Sequence, residues 1–175
     1  KPSVQRYQWE KPGQMLHLDI KKLGKIVGVG HRITGRENTR RRKGRGWEYL
    51  HVCVDDSSRT AYTAILSNEK AESAVEFLQL SVAWYASHGI TVERVLTDNA
   101  SCYKAKVFRE ACRELGIKHK RTRPYRPQTN GKAERFIRTA LKEWAYAQPY
   151  THSWQRTANL PIWTHRYNFK RPHMA

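Results

Sequence analysis

Two strand-like runs, Trp47 to Asp55 (WEYLHVCVD) and Thr60 to Leu66, are separated by little more than the turn Asp55-Asp56-Ser57-Ser58. Each is rich in aromatic and β-branched residues, which suit a pleated, half-buried surface. A link this short joins only neighbouring antiparallel strands, because a parallel pair needs a crossover of a dozen or more residues. The chain must therefore contain a β-hairpin, and every later element has to pack around it.

What precedes and follows the hairpin turns it into a larger sheet. Met15 to Ile20 reads as an earlier strand, with Met15, His17 and Asp19 on one face by the two-residue period. After the hairpin, Asn68 is a candidate N-cap for a helix with Ala71, Ala74, Val75, Leu78, Val82 and Tyr85 at helical spacing, ending at Gly89. Val92 to Leu96 is a short aliphatic strand, Lys104 to Leu115 a second helix, and Ile117 to His119 a short fifth strand. Arg121 to Gly131 is broken by Pro, Asn and Gly and reads as a loop. From Lys132 a third helix carries the clearest apolar stripe, Ala133, Phe136, Ile137, Ala140, Leu141 and Trp144. A last helix is expected over Ser153 to Tyr167, packed through Trp154 and Trp163. This order gives an α/β domain with a mixed five-stranded sheet flanked by helices, a layout that resembles RNase H-like folds. One domain is expected over all 175 residues.

Charge narrows the partner. Thirty-three Lys and Arg oppose fifteen Asp and Glu, a formal net charge of +18. Such an excess costs stability by self-repulsion and points to a polyanion, with nucleic acid first. No apolar run approaches the ~18 residues of a membrane span, and no membrane partner is expected. Cys53, Cys102 and Cys112 have no metal-ligand spacing and read as buried thiols of a reducing compartment. Because the first residue is Lys1, the chain is expected to be a piece of a longer protein.

In so basic a chain, acids at strand ends stand out. Asp19 closes the first strand and Asp98 the fourth, so neighbouring strands would bring both carboxylates to the sheet's carboxyl edge. Glu134 lies about 90° from the centre of the third helix's apolar stripe, at the border of the buried face. Three such carboxylates repel one another, and a hard divalent cation resolves the conflict, Mg²⁺ or Mn²⁺ above all. Two ions ~4 Å apart can hold the attacking and leaving oxygens of an in-line phosphoryl displacement. Taken singly, Asp98-Asn99 also suits a turn cap and Glu134 a helix start. Asp55 and Asp56 sit in the Asp-Ser turn and read as structural.

Four segments in order carry a family resemblance: HLDIKKLG around Asp19, VDDSSR from Val54, LTDNA around Asp98, and RPYRPQTNGKAERF leading to Glu134. Thirty-five residues separate Asp98 from Glu134, and YNFKRPH lies near the C-terminus. The chain resembles the DDE catalytic core of insertion-sequence transposases and, more distantly, of retroviral integrases. The resemblance implies that Asp19, Asp98 and Glu134 are the catalytic, metal-binding triad, holding Mg²⁺ or Mn²⁺ as two ions. It implies DNA contacts at Tyr125, Gln128, Asn130, Lys132 and Arg138, and at Lys142 in place of the basic residue often found where Leu141 stands. It further implies transposon-end and target DNA as partners, at least a dimer on DNA, and a cytoplasmic, nucleoid-associated bacterial protein. A DNA-end-binding helix-turn-helix domain is expected upstream.

His31 to Trp47 holds seven Lys or Arg against one Glu, and Arg40, Arg41, Arg42 and Lys43 are further expected DNA contacts. Tyr125 is placed to stack on an unpaired base. Two other functions remain open: a DNA-binding module that has lost catalysis, and an RNase H-type nuclease. Clustered acids near DNA argue against the first, and rejoining of strands separates the second.

Overall fold

The structure is a computed structural model that describes residues 8–28, 46–122 and 130–172. The elements run β1 (Leu16–Gly24), β2 (Trp47–Asp55), β3 (Ala61–Leu66), α1 (Ala71–Ser87), β4 (Arg94–Thr97), α2 (Ser101–Lys104), α3 (Lys106–Glu114), β5 (Lys118–Arg121), α4 (Gly131–Ala140) and α5 (Ser153–Phe169). The five strands form one sheet in the order β3-β2-β1-β4-β5. The β1–β2 and β2–β3 pairs are antiparallel; β1–β4 and β4–β5 are parallel. This is the mixed sheet expected from the sequence, with the hairpin on one side and helical crossovers on the other.

Each face of the sheet is covered. Leu16 and Leu18 point into one core with Phe77, Leu78 and Tyr85 of α1 and Phe108 of α3. Leu23, Val52 and Val54 point into the opposite core with Phe136 and Ile137 of α4 and Leu160 and Trp163 of α5. By the two-residue period of β1, His17 and Asp19 share the face of Leu23, the side on which α4 lies. The three cysteines are free and buried, as the sequence suggested.

Several boundaries differ from expectation, each for a local reason. The first strand runs on to Gly24 because β2 pairs with it as far as Trp47. The fourth and fifth strands lie two and one residues later than expected, since Arg94 to Thr97 pair with Lys118 to Arg121. The second helix is two pieces, with Ala105 at ψ 145° between them. Asn68 is not the cap of α1: its Oδ1 accepts the Lys70 amide and the Ser73 hydroxyl at 2.9 and 2.8 Å, an Asx turn leading into a helix that starts at Ala71. Beyond Ala140 the third helix widens into a turn of π-helix, Leu141–Ala145, which buries Trp144 and Ala145 together. Trp163 packs α5 onto the domain as expected, but Trp154 does not: it is 68% exposed on the outer side of α5.

Two anchors frame the site. Gly13 donates its amide to Asp55 Oδ1 at 2.8 Å and accepts the Glu93 amide at 2.8 Å, tying the hairpin to the start of β4. Its φ is +85°, and a Cβ there would stand 2.1 Å from the Thr91 carbonyl oxygen, so only glycine fits. At the far end of α5, Asn168 accepts the Ala61 amide and donates to the Ala61 carbonyl, both at 2.8 Å. The asparagine of YNFKRPH thus closes the backbone of the edge strand β3. Among the described residues no helix is long and apolar enough to cross a membrane.

Candidate active site

The parallel pairing of β1 with β4 sets Leu16 beside Val95 and His17 beside Leu96. Continued for two positions, that register puts Asp19 opposite Asp98, so the expected convergence at the carboxyl edge follows from topology. Asp19, Ile20, Asp98 and the first residues of α2 line a cleft of about 270 Å³ there. Each aspartate has one oxygen committed locally. Asp19 Oδ1 accepts the amide of Ile20 at 2.8 Å, and Asp98 Oδ1 accepts that of Ala100 at 2.9 Å. Those bonds fix the carboxylate planes and leave each Oδ2 without a hydrogen-bond donor among the described residues.

Electrostatics links the third acid to the first two. Burial pushes the Asp19 carboxyl up most; its Ile20 bond and Lys21 oppose that, and the negative charges of Asp98 and Glu134 add to it, so that it titrates at about 6. Glu134, in the first turn of α4, is exposed, so it approaches from the rim. Arg138 follows one turn later and Lys142 lies on the π-helical turn; both are exposed. The donor chemistry suits a hard divalent cation: carboxylate oxygens from three segments, one carboxyl raised by the others. Among the described residues, however, no three His, Cys, Asp or Glu side chains are already drawn close enough to enclose an ion.

Asn130 and Lys132, expected at DNA, face the protein instead. Asn130 is buried; its Oδ1 lies 3.3 Å from His17 Nδ1, and its Nδ2 donates to the Leu18 carbonyl at 3.2 Å. Lys132 pairs with the Asp56 carboxylate and donates to the Asp56 carbonyl at 3.0 Å. Asp56 is buried and also meets His17 Nε2 at 2.7 Å and the Trp9 amide at 2.7 Å. Burial alone would raise the Asp56 carboxyl, but the bonds from His17, Lys132 and Trp9 outweigh it and hold it well below the usual carboxylate range. Tyr125, Gln128, Arg40, Arg41, Arg42 and Lys43 lie outside the described residues.

The structure adds three residues to the cleft that sequence reasoning missed: Glu69, Cys102 and Tyr103. Glu69 follows β3 closely enough to reach the same sheet edge, and an acid just past a strand end was the signal available for it. Tyr103 is buried, and burial together with the neighbouring acids raises its hydroxyl well above the ordinary value. Nothing in its sequence context marked it.

A mixed sheet of this order, flanked by helices on both faces, is an RNase H-like fold. The chain matches the integrase core domain family over residues 10–127, and a second integrase core domain family over residues 115–175. It belongs to the integrase core domain family. It is 36% identical over 80 residues to the Escherichia coli transposase InsD of insertion element IS2A/D/F/H/I/K, covering 46% of this chain and 27% of that protein. It is 32% identical over 116 residues to a retrovirus-related Pol polyprotein from transposon TNT 1-94 of Nicotiana tabacum, covering 66% of this chain and 8% of that one. The chain thus spans well under half the length of these relatives. Among solved structures it resembles a chain of the simian T-cell lymphotropic virus intasome in complex with PP2A regulatory subunit B56 gamma, with a TM-score of 0.71 at 20% identity over 99% of this chain and 56% of that one. It also resembles the HTLV-2 integrase catalytic core in complex with magnesium, with a TM-score of 0.58 at 17% identity over 87% of this chain and 86% of that one.

Proposed function

We propose that the chain is the catalytic core of a DDE transposase, which cleaves DNA and joins the freed 3′-hydroxyl to target DNA. One observation carries the reading: in a protein of net charge +18, Asp19 and Asp98 meet in one cleft at the sheet edge, where burial and then the charges of Asp98 and Glu134 raise the Asp19 carboxyl. Acids that stabilised the fold alone would not be gathered where the charges of two of them oppose the ionisation of the buried third, Asp19.

Asp19, Asp98 and Glu134 would hold Mg²⁺ or Mn²⁺, as two ions. Bound there, such ions supply charge neutralisation at the phosphate and acidify the attacking hydroxyl. The chain's own residues do the rest. The Ile20 and Ala100 amides fix one oxygen of each aspartate, leaving the other to face the cleft. Arg138 and Lys142 take neighbouring phosphates, which positions DNA without reading its sequence. In the first step water attacks a phosphorus, the bond to the 3′-oxygen breaks, and the departing oxygen is released as a hydroxyl. In the second, that hydroxyl attacks a target phosphodiester, one P–O bond forms as another breaks, and a target 3′-hydroxyl leaves. Protons pass to solvent and no redox partner is needed. Two DNA ends call for at least a dimer on DNA, in line with the intasome and the dimeric magnesium-bound core among the similar structures.

The test is the joining of a labelled 3′-hydroxyl oligonucleotide to supercoiled plasmid in Mn²⁺, by the chain and by its Asp98→Asn variant. Covalent label in plasmid with the wild type alone is expected. Nicking without joining would support the nuclease, and DNA binding with neither reaction would support the non-catalytic module.

A further inference from the structure

The buried group formed by His17, Asp56, Asn130 and Lys132 lies between the strand that bears Asp19 and the helix that bears Glu134. Its members come from three separate parts of the chain: β1, the β2–β3 turn, and the start of α4. His17 is two residues before Asp19 on the same face of β1. Lys132 and Asn130 are two and four residues before Glu134. Asp56 joins them, meeting His17 Nε2 at 2.7 Å and pairing with Lys132, while its backbone amide donates to the Met15 carbonyl at 2.9 Å and its backbone carbonyl accepts from Lys132 at 3.0 Å. Asn130 completes the circuit, reaching His17 and the Leu18 carbonyl. His17, Asp56 and Asn130 are each less than 5% exposed.

A surface ion pair would leave α4 free to shift along the sheet. Here the start of the helix is held to β1 by directional bonds to buried His17, Asp56 and Asn130, with Lys132 20% exposed at the margin, and breaking one leaves a buried polar group unsatisfied.

We propose that Asp56, with His17, Lys132 and Asn130, is a positioning cluster that sets Glu134 at its distance from Asp19 and Asp98, and so sets the affinity of the three-carboxylate site for its divalent ions. The proposal rests on the reading of those acids as metal ligands. It gives Asn130 and Lys132 a role inside the protein in place of the DNA contacts that the resemblance implies for them. Outer partners that orient ligands in this way are worth roughly 10–100-fold in metal affinity.

The experiment titrates Mn²⁺ into the chain and into Lys132→Met, Asp56→Asn, Glu134→Gln and the Lys132→Met/Glu134→Gln double variant, with the folded fraction of each measured by thermal melting. Lys132→Met keeps the aliphatic stem in place and is the variant least prone to unfold. Its Mn²⁺ dissociation constant should rise roughly 10–100-fold in fully folded protein. The double variant should bind no more weakly than Glu134→Gln alone, because a cluster that acts through Glu134 has nothing left to position. Duplex-DNA affinity and its salt dependence should stay at wild-type values for Lys132→Met, whereas loss of a phosphate contact would lower the salt slope by about one. Wild-type Mn²⁺ affinity in both Lys132→Met and Asp56→Asn, alongside weakened binding in Glu134→Gln, would overturn the proposal and leave the metal site standing. Additive losses in the double variant would overturn it too. Absence of saturable Mn²⁺ binding in the wild type would overturn the metal reading itself.

Discussion

Asp19→Asn should stabilise the metal-free chain at neutral pH while abolishing its chemistry. The Asp19 carboxyl is raised from 3.8 to about 6 by burial and by Asp98 and Glu134. At pH 7.5 the folded state therefore carries an anion that the unfolded chain bears more easily. Allowing for its partial exposure, the cost is about 2–3 kcal/mol, or a rise in Tm of roughly 4–10 °C when the charge is removed. The sign follows from proton binding. Between pH 4 and 6 the folded chain holds more protons than the unfolded one, so the wild type loses stability through this group as pH rises. Below pH 4 both states are protonated, and the Tm difference should vanish. Strand joining by the same variant should fall by ~10²–10³-fold or more, the scale of losing a main electrostatic stabiliser of the transition state. Melting curves at pH 4 and pH 7.5 check the first half. A variant less stable than wild type at pH 7.5 would mean that the three carboxylates are not gathered.

The largest loss of stability is expected at Glu48, far from the chemistry. Arg156 of α5 is fully buried; its Nη2 donates to Glu48 Oε2 at 2.6 Å and to the Gly24 carbonyl at 2.9 Å. Nε and Nη1 find no partner among the described residues, and Glu48 is the counter-charge the guanidinium meets there. The pair fastens the start of α5 to the end of the β1–β2 pair where Gly24 faces Trp47. Beside it, Ser153 Oγ accepts the Ile26 amide at 2.8 Å and the Ser153 amide donates back to the Ile26 carbonyl at 3.1 Å. Glu48→Ala strands the guanidinium and should cost about 3–5 kcal/mol. Replacing both residues, as Glu48→Ala/Arg156→Met, should recover much of that loss, because the buried charge leaves with its partner. Urea unfolding of the two variants decides it: a double variant no more stable than Glu48→Ala would place the loss in packing rather than in charge.

The sequence made the sheet legible because its signals were local. A four-residue turn forces the hairpin, and the stripe from Ala133 to Trp144 fixes which side of α4 is buried. Asp98 was readable as an acid just past an aliphatic strand, and Asp19 as an acid on a neighbouring strand, although β1 runs on to Gly24 and Asp19 does not close it. What failed was whatever depends on partners far along the chain. Neither β4 nor β5 has more than four residues, and aliphatic composition says little about where pairing begins. The break at Ala105 has no Pro or Gly to announce it. The Asp56 cluster spans separations of 39, 76 and 113 residues, so its turn-like Asp-Asp-Ser-Ser context suggested only local bonding. Lys132 and Asn130 illustrate the converse. In a chain of net charge +18 every cation near the site suggests DNA, and only burial distinguishes a cation that faces an aspartate from one that faces a phosphate.

Three carboxylates, from β1, the residue after β4 and α4, are proposed to form one divalent-cation site. Calorimetric titration of Mn²⁺ into the wild type and Asp98→Asn, without DNA and then with it, tests that most directly. Saturable binding by the wild type that Asp98→Asn abolishes is expected. Equal binding by the two proteins, or none by a folded wild type even with DNA present, would contradict it.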